Sequence, residues 1–191
     1  SRTVGELSEY LKRPKIQVFT GNRAEFGILL PLILKAANIY RVELVVSGSH
    51  LLSKWNTIDE IEEKLAGTDI IIRKLPLPIS ERHLQNKKNR ETYLESFSEI
   101  YNNYIKTELA YMKFDKPLFT VILGDRIETL GFALAAFYLS IPIVHIAGGD
   151  IANVPYFDTN VRHAISKIAH LHLPTNETSA KILEQLGEEP W

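Results

Sequence analysis

Apolar runs of two kinds alternate along this chain, and their order limits the folds open to it. Six short runs rich in Val, Ile and Leu are separated by stretches in which apolar residues recur at helical spacing. Continuous runs of this kind suit strands of a parallel sheet that is covered on both faces. The alternation therefore predicts an α/β fold with a Rossmann-like, doubly wound parallel sheet. The predicted strands are Lys15–Thr20, Val42–Ser47 and Asp69–Leu75, followed by Leu118–Leu123, Ile143–Ile146 and Leu171–Leu173 as short buried strands. The predicted helices are Glu25–Ala37, Thr57–Leu65, Glu91–Phe114, Thr129–Leu139, Thr159–Ile168 and Glu177–Leu186.

The length of 191 residues suits one packed domain rather than two. We expect an N-terminal extension over residues 1–14 and a single Rossmann-like domain over residues 15–191. The one long polar connection, Pro76–Asn89, predicts a mobile loop over a site.

Charge and cysteine content exclude several classes of function. Lys and Arg number 22 against 23 Asp and Glu, so no bulk charge points to nucleic acid or to an anionic membrane. Any bound anion must be held by a local site. The absence of cysteine excludes disulfides, thiolate metal sites and a thiol nucleophile. The longest apolar run, Phe132–Ile146, contains Ser140 and Pro142 and is too short to span a bilayer, so we expect a cytoplasmic protein.

Glycine and charged residues are concentrated just after four of the predicted strands. In an open parallel sheet, ligands bind beyond the carboxyl ends of the strands, where such loops converge. We therefore expect these four loops to rim a single crevice. The loops are Gly21–Gly27, Gly48–His50, Gly124–Glu128 and His145–Asp150.

Each loop also has a purely structural interpretation. Arg23 lies beside a helix N-terminus, a place that suits either a bound phosphate or an exposed surface arginine. Asp125 fits a helix N-cap, and Arg126 fits an ion pair with Glu128. His145, inside an apolar strand, is on its own more typical of a hydrogen-bonded core histidine than of a catalyst.

A further cluster surrounds the start of the fifth predicted helix. Asp158 is a natural N-cap for a helix that begins at Thr159, and Arg162 and His163 then lie near its first turn. Positive charge at a helix N-terminus opposes the helix dipole by roughly 0.3–1 kcal/mol. This placement indicates an anionic partner or a carboxylate nearby.

A metal site is the competing use for His145, Asp150, Asp158 and His163. No H-x-x-x-H or H-E-x-x-H pair occurs on a predicted helix face. We therefore expect no metal, and nothing in the sequence requires a cofactor.

Taken together, the loops resemble one family, the UDP-N-acetylglucosamine 2-epimerases, and especially the hydrolysing branch that opens sialic acid and legionaminic acid pathways. The resemblance extends from about Lys15 to Pro190. The motifs that carry it are TGNRAEFG (Thr20–Gly27), VVSGSHL (Val45–Leu51), LGDRIE (Leu123–Glu128), HIAGGD (His145–Asp150), DTNVRHAISKIAHLH (Asp158–His172) and LGEEP (Leu186–Pro190).

The resemblance implies a glycosyltransferase-B fold, in which two Rossmann-like domains face a cleft. This chain matches only the first domain, so alone it is expected to be a poor catalyst. The implied substrate is a UDP-sugar, and the full-length protein is expected to be a homo-oligomer. The implied reaction removes the C2 proton and expels UDP from C1, after which water or UDP adds to the resulting glycal.

The resemblance also implies roles for individual residues. Asp125 and Asp158 match catalytic carboxylates. Arg23 and Arg126 match the positions that face the diphosphate. The remaining substrate-binding assignments are Gly27, Ser49, His50, Arg162 and His163, of which the last two are expected to orient Asp158 or to close the site.

Two departures from the family pattern affect the chemistry. Ala147 stands where several members carry a glutamate, so Asp150 or His145 becomes the candidate for the second proton transfer. Thr159 replaces the second of a usual pair of acids. Two alternatives stay open: a glycosyltransferase, which shares the two-domain architecture, and a UDP-sugar-binding protein without activity, which Ala147 and Thr159 suggest.

Overall fold

The computed structural model describes residues 3–52, 57–76, 90–151 and 157–189, with side chains in the range 90–97 and at residue 112 excepted. Within these ranges, six strands form one fully parallel sheet in the order β3-β2-β1-β4-β5-β6. The strands are β1 (Lys15–Thr20), β2 (Arg41–Val46), β3 (Ile71–Lys74), β4 (Thr120–Leu123), β5 (Ile143–Ile146) and β6 (Leu171–Leu173). The helices are α1 (Val4–Lys12), α2 (Arg23–Ala36), α3 (Ile58–Lys64), α4 (Arg90–Met112), α5 (Ile127–Tyr138), α6 (Phe157–Ile168) and α7 (Glu177–Gln185), with a 3-10 turn at Gly48–Leu51.

Helices cover both faces of the sheet, which confirms the doubly wound fold. On one face, the β1 residue Phe19 stacks on Phe132 of α5 at 4.6 Å between ring centroids, and Tyr104 of α4 is fully buried beside them. On the other face, α2 and α3 pack against the sheet through residues such as Phe26 and Ile61. The predicted loop Pro76–Asn89 lies outside the described residues, except for Pro76.

The two edge strands differ from the central ones. All six residues of β1 and all four of β4 are buried, as the continuous apolar runs predict. In β6, by contrast, Leu171 and Leu173 are 41% and 42% exposed. The prediction that β6 is a buried strand was wrong, because an edge strand has a neighbour on one side only.

A network of buried charges lies between the sheet and α4. Arg73 of β3 pairs with Glu43 at 2.8 Å and with Glu108 of α4 at 2.6 Å. Gln17 donates to both carboxylates, and Lys15 pairs with Glu43 at 3.1 Å. All five side chains are at most 7% exposed. Because a buried charge is tolerated only when it is paired, this network fixes the position of α4 on β1, β2 and β3.

The segment before β1 is attached to the domain. Thr3 and Glu6 form a capping box at the start of α1. The Tyr10 hydroxyl donates to the Asp69 carbonyl oxygen at 2.8 Å, and the Arg13 guanidinium donates to the Ala37 carbonyl at 3.0 Å. Among the described residues, none of the helices has the length and apolarity needed to cross a membrane.

Candidate active site

The four glycine-rich loops lie along one edge of the sheet, as predicted. Each follows the carboxyl end of a parallel strand, and parallel strands end at the same edge. The chain order reverses between β1 and β4, since β2 and β3 extend to one side of β1 and β4 to β6 to the other. In doubly wound sheets such a reversal opens a crevice that binds ligands.

The loop after β1 carries one exposed arginine. The Asn22 side chain caps α2 by accepting from the Glu25 N–H at 3.0 Å, so the helix begins at Arg23, two residues before the predicted start. Arg23 is 71% exposed and pairs with Glu60 of α3 at 2.8 Å. Gly27 lies in the second turn of α2 rather than in the loop, with open space around it in the described structure.

The loop after β2 is tied to the loop after β1. The backbone N–H and hydroxyl of Ser49 both donate to the Gly21 carbonyl oxygen, at 2.8 and 3.2 Å. His50 is fully buried between the Thr20 and Thr57 hydroxyls, at 3.0 and 2.6 Å from its two ring nitrogens. Burial lowers the pKa of His50 to about 4, so the ring is neutral at pH 7.

Arg162 joins the loops after β4 and β5. Its Nη2 pairs with the Asp125 carboxylate, and its Nη1 donates to the Asp150 carbonyl oxygen at 2.6 Å. The structure thus has Arg162 bonded to Asp125, a pairing that differs from the first of the two expected roles of Arg162, which were to orient Asp158 or to close the site. Asp125 is also not the N-cap of α5, because that position belongs to Arg126. The Asp125 carboxylate is instead held over the crevice by a guanidinium.

Asp150 is anchored to the start of α7. Its Oδ1 accepts from the Thr175 hydroxyl at 2.8 Å and from the Ser179 hydroxyl at 2.5 Å. The preceding Gly149 has φ +79°, and a Cβ there would lie 2.1 Å from the Ser179 carbonyl oxygen. Only glycine fits such an approach. Ala147, in the same turn, has φ +61°, an uncommon value for a residue with a Cβ.

His145 is fully buried and bonded through both ring nitrogens. Nε2 lies 3.3 Å from the Gly124 carbonyl oxygen, and Nδ1 lies 3.1 Å from the Ser166 hydroxyl. A carbonyl only accepts, so Nε2 carries the proton and Nδ1 accepts from Ser166. Burial lowers the pKa of His145 to about 4, which keeps the ring neutral. This bonding matches the core-histidine interpretation of His145.

The start of α6 differs from its prediction by two residues. The helix begins at Phe157, so Asp158 lies in its first turn and not at the N-cap. Asp158 and Arg162 are four residues apart and share one helix face. The Asp158 and Arg162 side chains therefore project from the same side of α6. His163, beside Arg162, is half-buried, and burial together with the Arg162 charge lowers its pKa.

Two buried carboxyl groups at the β1–β4 reversal were missed by the sequence analysis. Glu25 is 7% exposed and accepts from the Gly21 N–H at 2.7 Å. Burial, with the negative charge of Glu128, raises the pKa of Glu25 to about 7. Glu128 is 1% exposed and accepts from Arg126 Nε, the pairing that the sequence had offered as the structural interpretation of Arg126.

One local signal was available for the first of these. Asn22 and Glu25 have the spacing of a capping box, which predicts that the glutamate turns back toward the loop. No comparable signal marks Glu128. Across residues 3–52, 57–76, 90–151 and 157–189, no group of three or more His, Asp or Glu side chains is arranged to hold a metal ion.

Comparison with known proteins gives consistent matches. The sequence model of the family described as UDP-N-acetylglucosamine 2-epimerase matches residues 33–191. The chain is 30% identical over 183 residues to the Campylobacter jejuni "GDP/UDP-N,N'-diacetylbacillosamine 2-epimerase (hydrolyzing)", a match that covers 94% of this chain and 44% of that protein. It is 31% identical over 179 residues to the Legionella pneumophila "UDP-N,N'-diacetylbacillosamine 2-epimerase (hydrolyzing)", covering 92% and 43%.

A solved structure shares the fold. The Neisseria meningitidis UDP-GlcNAc 2-epimerase bound to UDP-GlcNAc superposes with a TM-score of 0.67 at 23% identity, over 92% of this chain and 44% of that one. The chain thus spans less than half the length of the relatives it matches.

Proposed function

The chain belongs to the UDP-N-acetylglucosamine 2-epimerase family, and we propose that it is the Rossmann-like N-terminal part of a hydrolysing UDP-sugar 2-epimerase. The observation that supports this proposal is the contact of Arg162 with the Asp125 carboxylate and with the Asp150 backbone carbonyl oxygen, because it joins the loops that follow β4 and β5. Residues 15–191 form the domain in this proposal and residues 1–14 precede it. A second domain, corresponding to the remaining length of the relatives, closes the cleft.

The proposed reaction is an elimination followed by hydration. A carboxylate takes the C2 proton, the C2–H electrons form the C1–C2 double bond, and UDP leaves with the C1–O electrons. Water then adds its oxygen to C1, and C2 takes a proton on the opposite face. Asp125 and Asp158 are the proposed carboxylates at the sugar, because Asp125 is fixed by Arg162 and Asp158 shares a helix face with that arginine.

The second proton transfer is assigned to Asp150 rather than to His145. His145 is fully buried and uses both ring nitrogens within the fold. It therefore acts by holding Gly124, the residue next to Asp125, in place. Asp150 is partly exposed, its backbone is held by the same Arg162, and its Oδ1 accepts from the Thr175 and Ser179 hydroxyls, so we assign the second transfer to its carboxyl group.

Arg23 and Arg126 are proposed to bind the diphosphate. Arg23 is largely exposed and its ion pair with Glu60 lies at the surface, where solvent screens it, so phosphate can replace the carboxylate at little cost. Ser49, His50 and Gly27 are proposed to line the substrate side of the crevice. Of these, buried His50 contributes by fixing the loop rather than by transferring a proton.

The substrate class follows from the relatives. Both curated relatives described above are named as hydrolysing epimerases of an N,N'-diacetylbacillosamine nucleotide. We propose a UDP-linked 2-acetamido sugar as substrate and a free N-acetylmannosamine-type sugar as product, supplied to sialic-acid-type biosynthesis in the cytoplasm. The full protein is proposed to act as a homo-oligomer.

An isosteric substitution tests the assignment of Asp125. In the full natural protein, Asp125→Asn should lower the rate of UDP release from UDP-N-acetylglucosamine or UDP-N,N'-diacetylbacillosamine by about 10²–10⁴-fold, the usual contribution of an acid–base group. Asp115→Asn is the matched control, since Asp115 also pairs with an arginine, Arg41, but lies before β4 at the opposite edge of the sheet. The control should keep wild-type turnover.

Two outcomes separate this proposal from its alternatives. Full turnover in Asp125→Asn favours a glycosyltransferase, which needs no carboxylate at C2. Binding of the UDP-sugar with neither UDP release nor epimerisation at C2, with either substrate, favours a binding protein without activity.

A further inference from the structure

Glu25 turns its carboxyl group away from solvent and into the β1–β4 reversal. It is the third residue of α2, and its Oε2 accepts the Gly21 N–H at 2.7 Å. On the β4 side it meets Gly124, where a Cβ would lie 2.8 Å from Glu25 Oε1 and φ is +100°. Glycine at position 124 is therefore required for the carboxyl group to fit.

Glu128 reaches the same place from α5. It is 1% exposed, and its Oε1 accepts from Arg126 Nε, while its Oε2 has no hydrogen-bond partner among the described residues. Gly48, with φ +58°, makes room for it, since a Cβ there would lie 2.8 Å from Glu128 Oε1. A carboxylate buried to this degree needs more than one hydrogen bond, unless a bound ligand or a proton satisfies the remaining oxygen.

The two carboxyl groups are neighbours. A Cβ on Gly21 would lie 3.3 Å from Glu128 Oε1 and 3.5 Å from Glu25 Oε2. Two carboxyl groups this close do not both ionise easily, because like charges raise the affinity of one of them for a proton. Burial and the Glu128 charge accordingly raise the pKa of Glu25 to about 7. Glycines from three loops thus make room for the carboxyl groups of Glu25 and Glu128, which do not contribute to the hydrophobic core.

We propose that Glu128 positions Arg126 for the diphosphate of the substrate and that a proton on Glu25 keeps the pair at a single negative charge. This inference rests on the proposed function, because the diphosphate is its ligand. Glu25 and Glu128 are positioning residues: they act through Arg126 and make no contact with the reacting atoms. When Glu25 loses its proton, a second negative charge appears beneath Arg126 and weakens its hold on an anion.

In the part of the chain that the structure describes, few charged groups lie near Glu25. From the loop before α5, Arg126 faces it and lowers its pKa, while Glu128 of α5 raises it. His50 lies near Arg126 and Tyr104 of α4 near Glu128, but both are neutral at pH 7: burial lowers the pKa of His50 to about 4 and raises that of Tyr104 above its ordinary value. Among the residues that the structure describes, titration of Glu25 is therefore the change in charge beside Glu128 and Arg126 between pH 6 and 8.5.

Calorimetric titration of the full natural protein with UDP tests the pair. Kd is measured at pH 6 and pH 8.5 for the wild type, Glu25→Gln and Glu128→Gln, with Glu177→Gln as a control at the exposed first turn of α7. Glu25→Gln imitates the protonated acid. Between the two pH values the wild type should weaken about fivefold more than Glu25→Gln, the size expected for roughly 1 kcal/mol of charge repulsion. Titration of UDP itself affects both proteins equally and cancels in this ratio.

The other variants give the remaining expectations. Glu177→Gln should follow the wild type at both pH values. Glu128→Gln should weaken UDP binding at both, and in turnover it should raise KM by a larger factor than it lowers kcat. A residue with only a structural role would lower stability without producing this split.

Each outcome decides between the possibilities. Parallel weakening of the wild type and Glu25→Gln overturns the inference, as does wild-type UDP binding by Glu128→Gln or no UDP binding at all. If Glu128→Gln does not fold, the comparison with Glu25→Gln decides alone. Normal UDP release, with parallel pH profiles of UDP binding in the wild type and Glu25→Gln, contradicts the role proposed for Glu25 and Glu128 but not the proposed function. The expected pH dependence of UDP binding, without UDP release from the UDP-sugar, contradicts the proposed function but supports the role of Glu25 and Glu128.

Discussion

Replacing Glu25 by glutamine should stabilise the protein at alkaline pH, whereas substitution of a buried residue usually destabilises a protein. The folded state raises the pKa of Glu25 from its ordinary 4.5 to about 7, chiefly through burial. A raised carboxyl pKa means that the folded state binds the proton more tightly than the unfolded state. Stability from this group is therefore fully present below pH 4.5 and is lost as the pH rises through 7.

The size of the effect follows from the shift. At 1.36 kcal/mol for each pKa unit, ionised Glu25 destabilises the folded wild type by about 3 kcal/mol above pH 7. Glutamine carries no charge and its side-chain oxygen still accepts the Gly21 N–H. Glu25→Gln should thus match the wild type near pH 4.5 and exceed its free energy of unfolding by about 2–3 kcal/mol at pH 8.

Urea denaturation followed by far-ultraviolet circular dichroism, at half-unit steps from pH 4.5 to 8, measures this difference. Glu177→Gln serves as the control, because Glu177 is exposed in the first turn of α7 and its loss should change stability by less than about 0.5 kcal/mol at every pH. A Glu25→Gln protein that is less stable than the wild type at pH 8, or a difference that does not vary with pH, would refute a protonated Glu25.

Two further pairs of substitutions test the packing, each by chemical denaturation. Arg73→Met should lower the free energy of unfolding by about 3–5 kcal/mol, because it removes the arginine that pairs with buried Glu108 and, within the described residues, leaves Glu43 with Lys15 alone as its cation. Lys74→Met, at an exposed pair, should change the free energy of unfolding by less than about 1 kcal/mol. Equal losses in the two variants would contradict the buried network. Gly149→Ala should lose about 2–5 kcal/mol, since the methyl group adds a clash with the Ser179 carbonyl to the left-handed strain. Gly187→Ala is the control, because Gly187 also has a positive φ, +84°, but no described atom lies within 4 Å of the new methyl group. It should lower the free energy of unfolding by about 1–2 kcal/mol from backbone strain alone. An equal loss at the two glycines would show that position 149 is not crowded.

The fold was accessible from the sequence because its signals are local. The continuous apolar runs predicted the central strands to within a few residues, and the helix predicted over Glu177–Leu186 agrees with α7 to within one residue. The predicted first residues of helices were less accurate where more than one residue could serve as the N-cap. Asn22 rather than a later residue caps α2, which moves Arg23 from the loop into the helix.

The site was only partly accessible, since its contacts join distant parts of the chain. Asp125 and Arg162 were both singled out, but their pairing across 37 residues was not predicted. Gln17 and Glu108 are 91 residues apart, and neither strand periodicity nor composition indicates that they meet. Glu25 was quoted in a motif without a role, because its burial depends in part on Gly124, which lies in a different loop.

Solvent deuterium provides the most direct test of carboxylate chemistry at C2 of the sugar. The full natural protein is incubated with its UDP-sugar in D2O, and the released sugar is examined by proton NMR. Removal of the C2 proton and its replacement on the other face predict a free sugar that carries deuterium at C2, formed together with UDP and strongly reduced in Asp125→Asn. A released sugar that keeps its original C2 proton would contradict the proposed epimerisation, whatever the rate of UDP release.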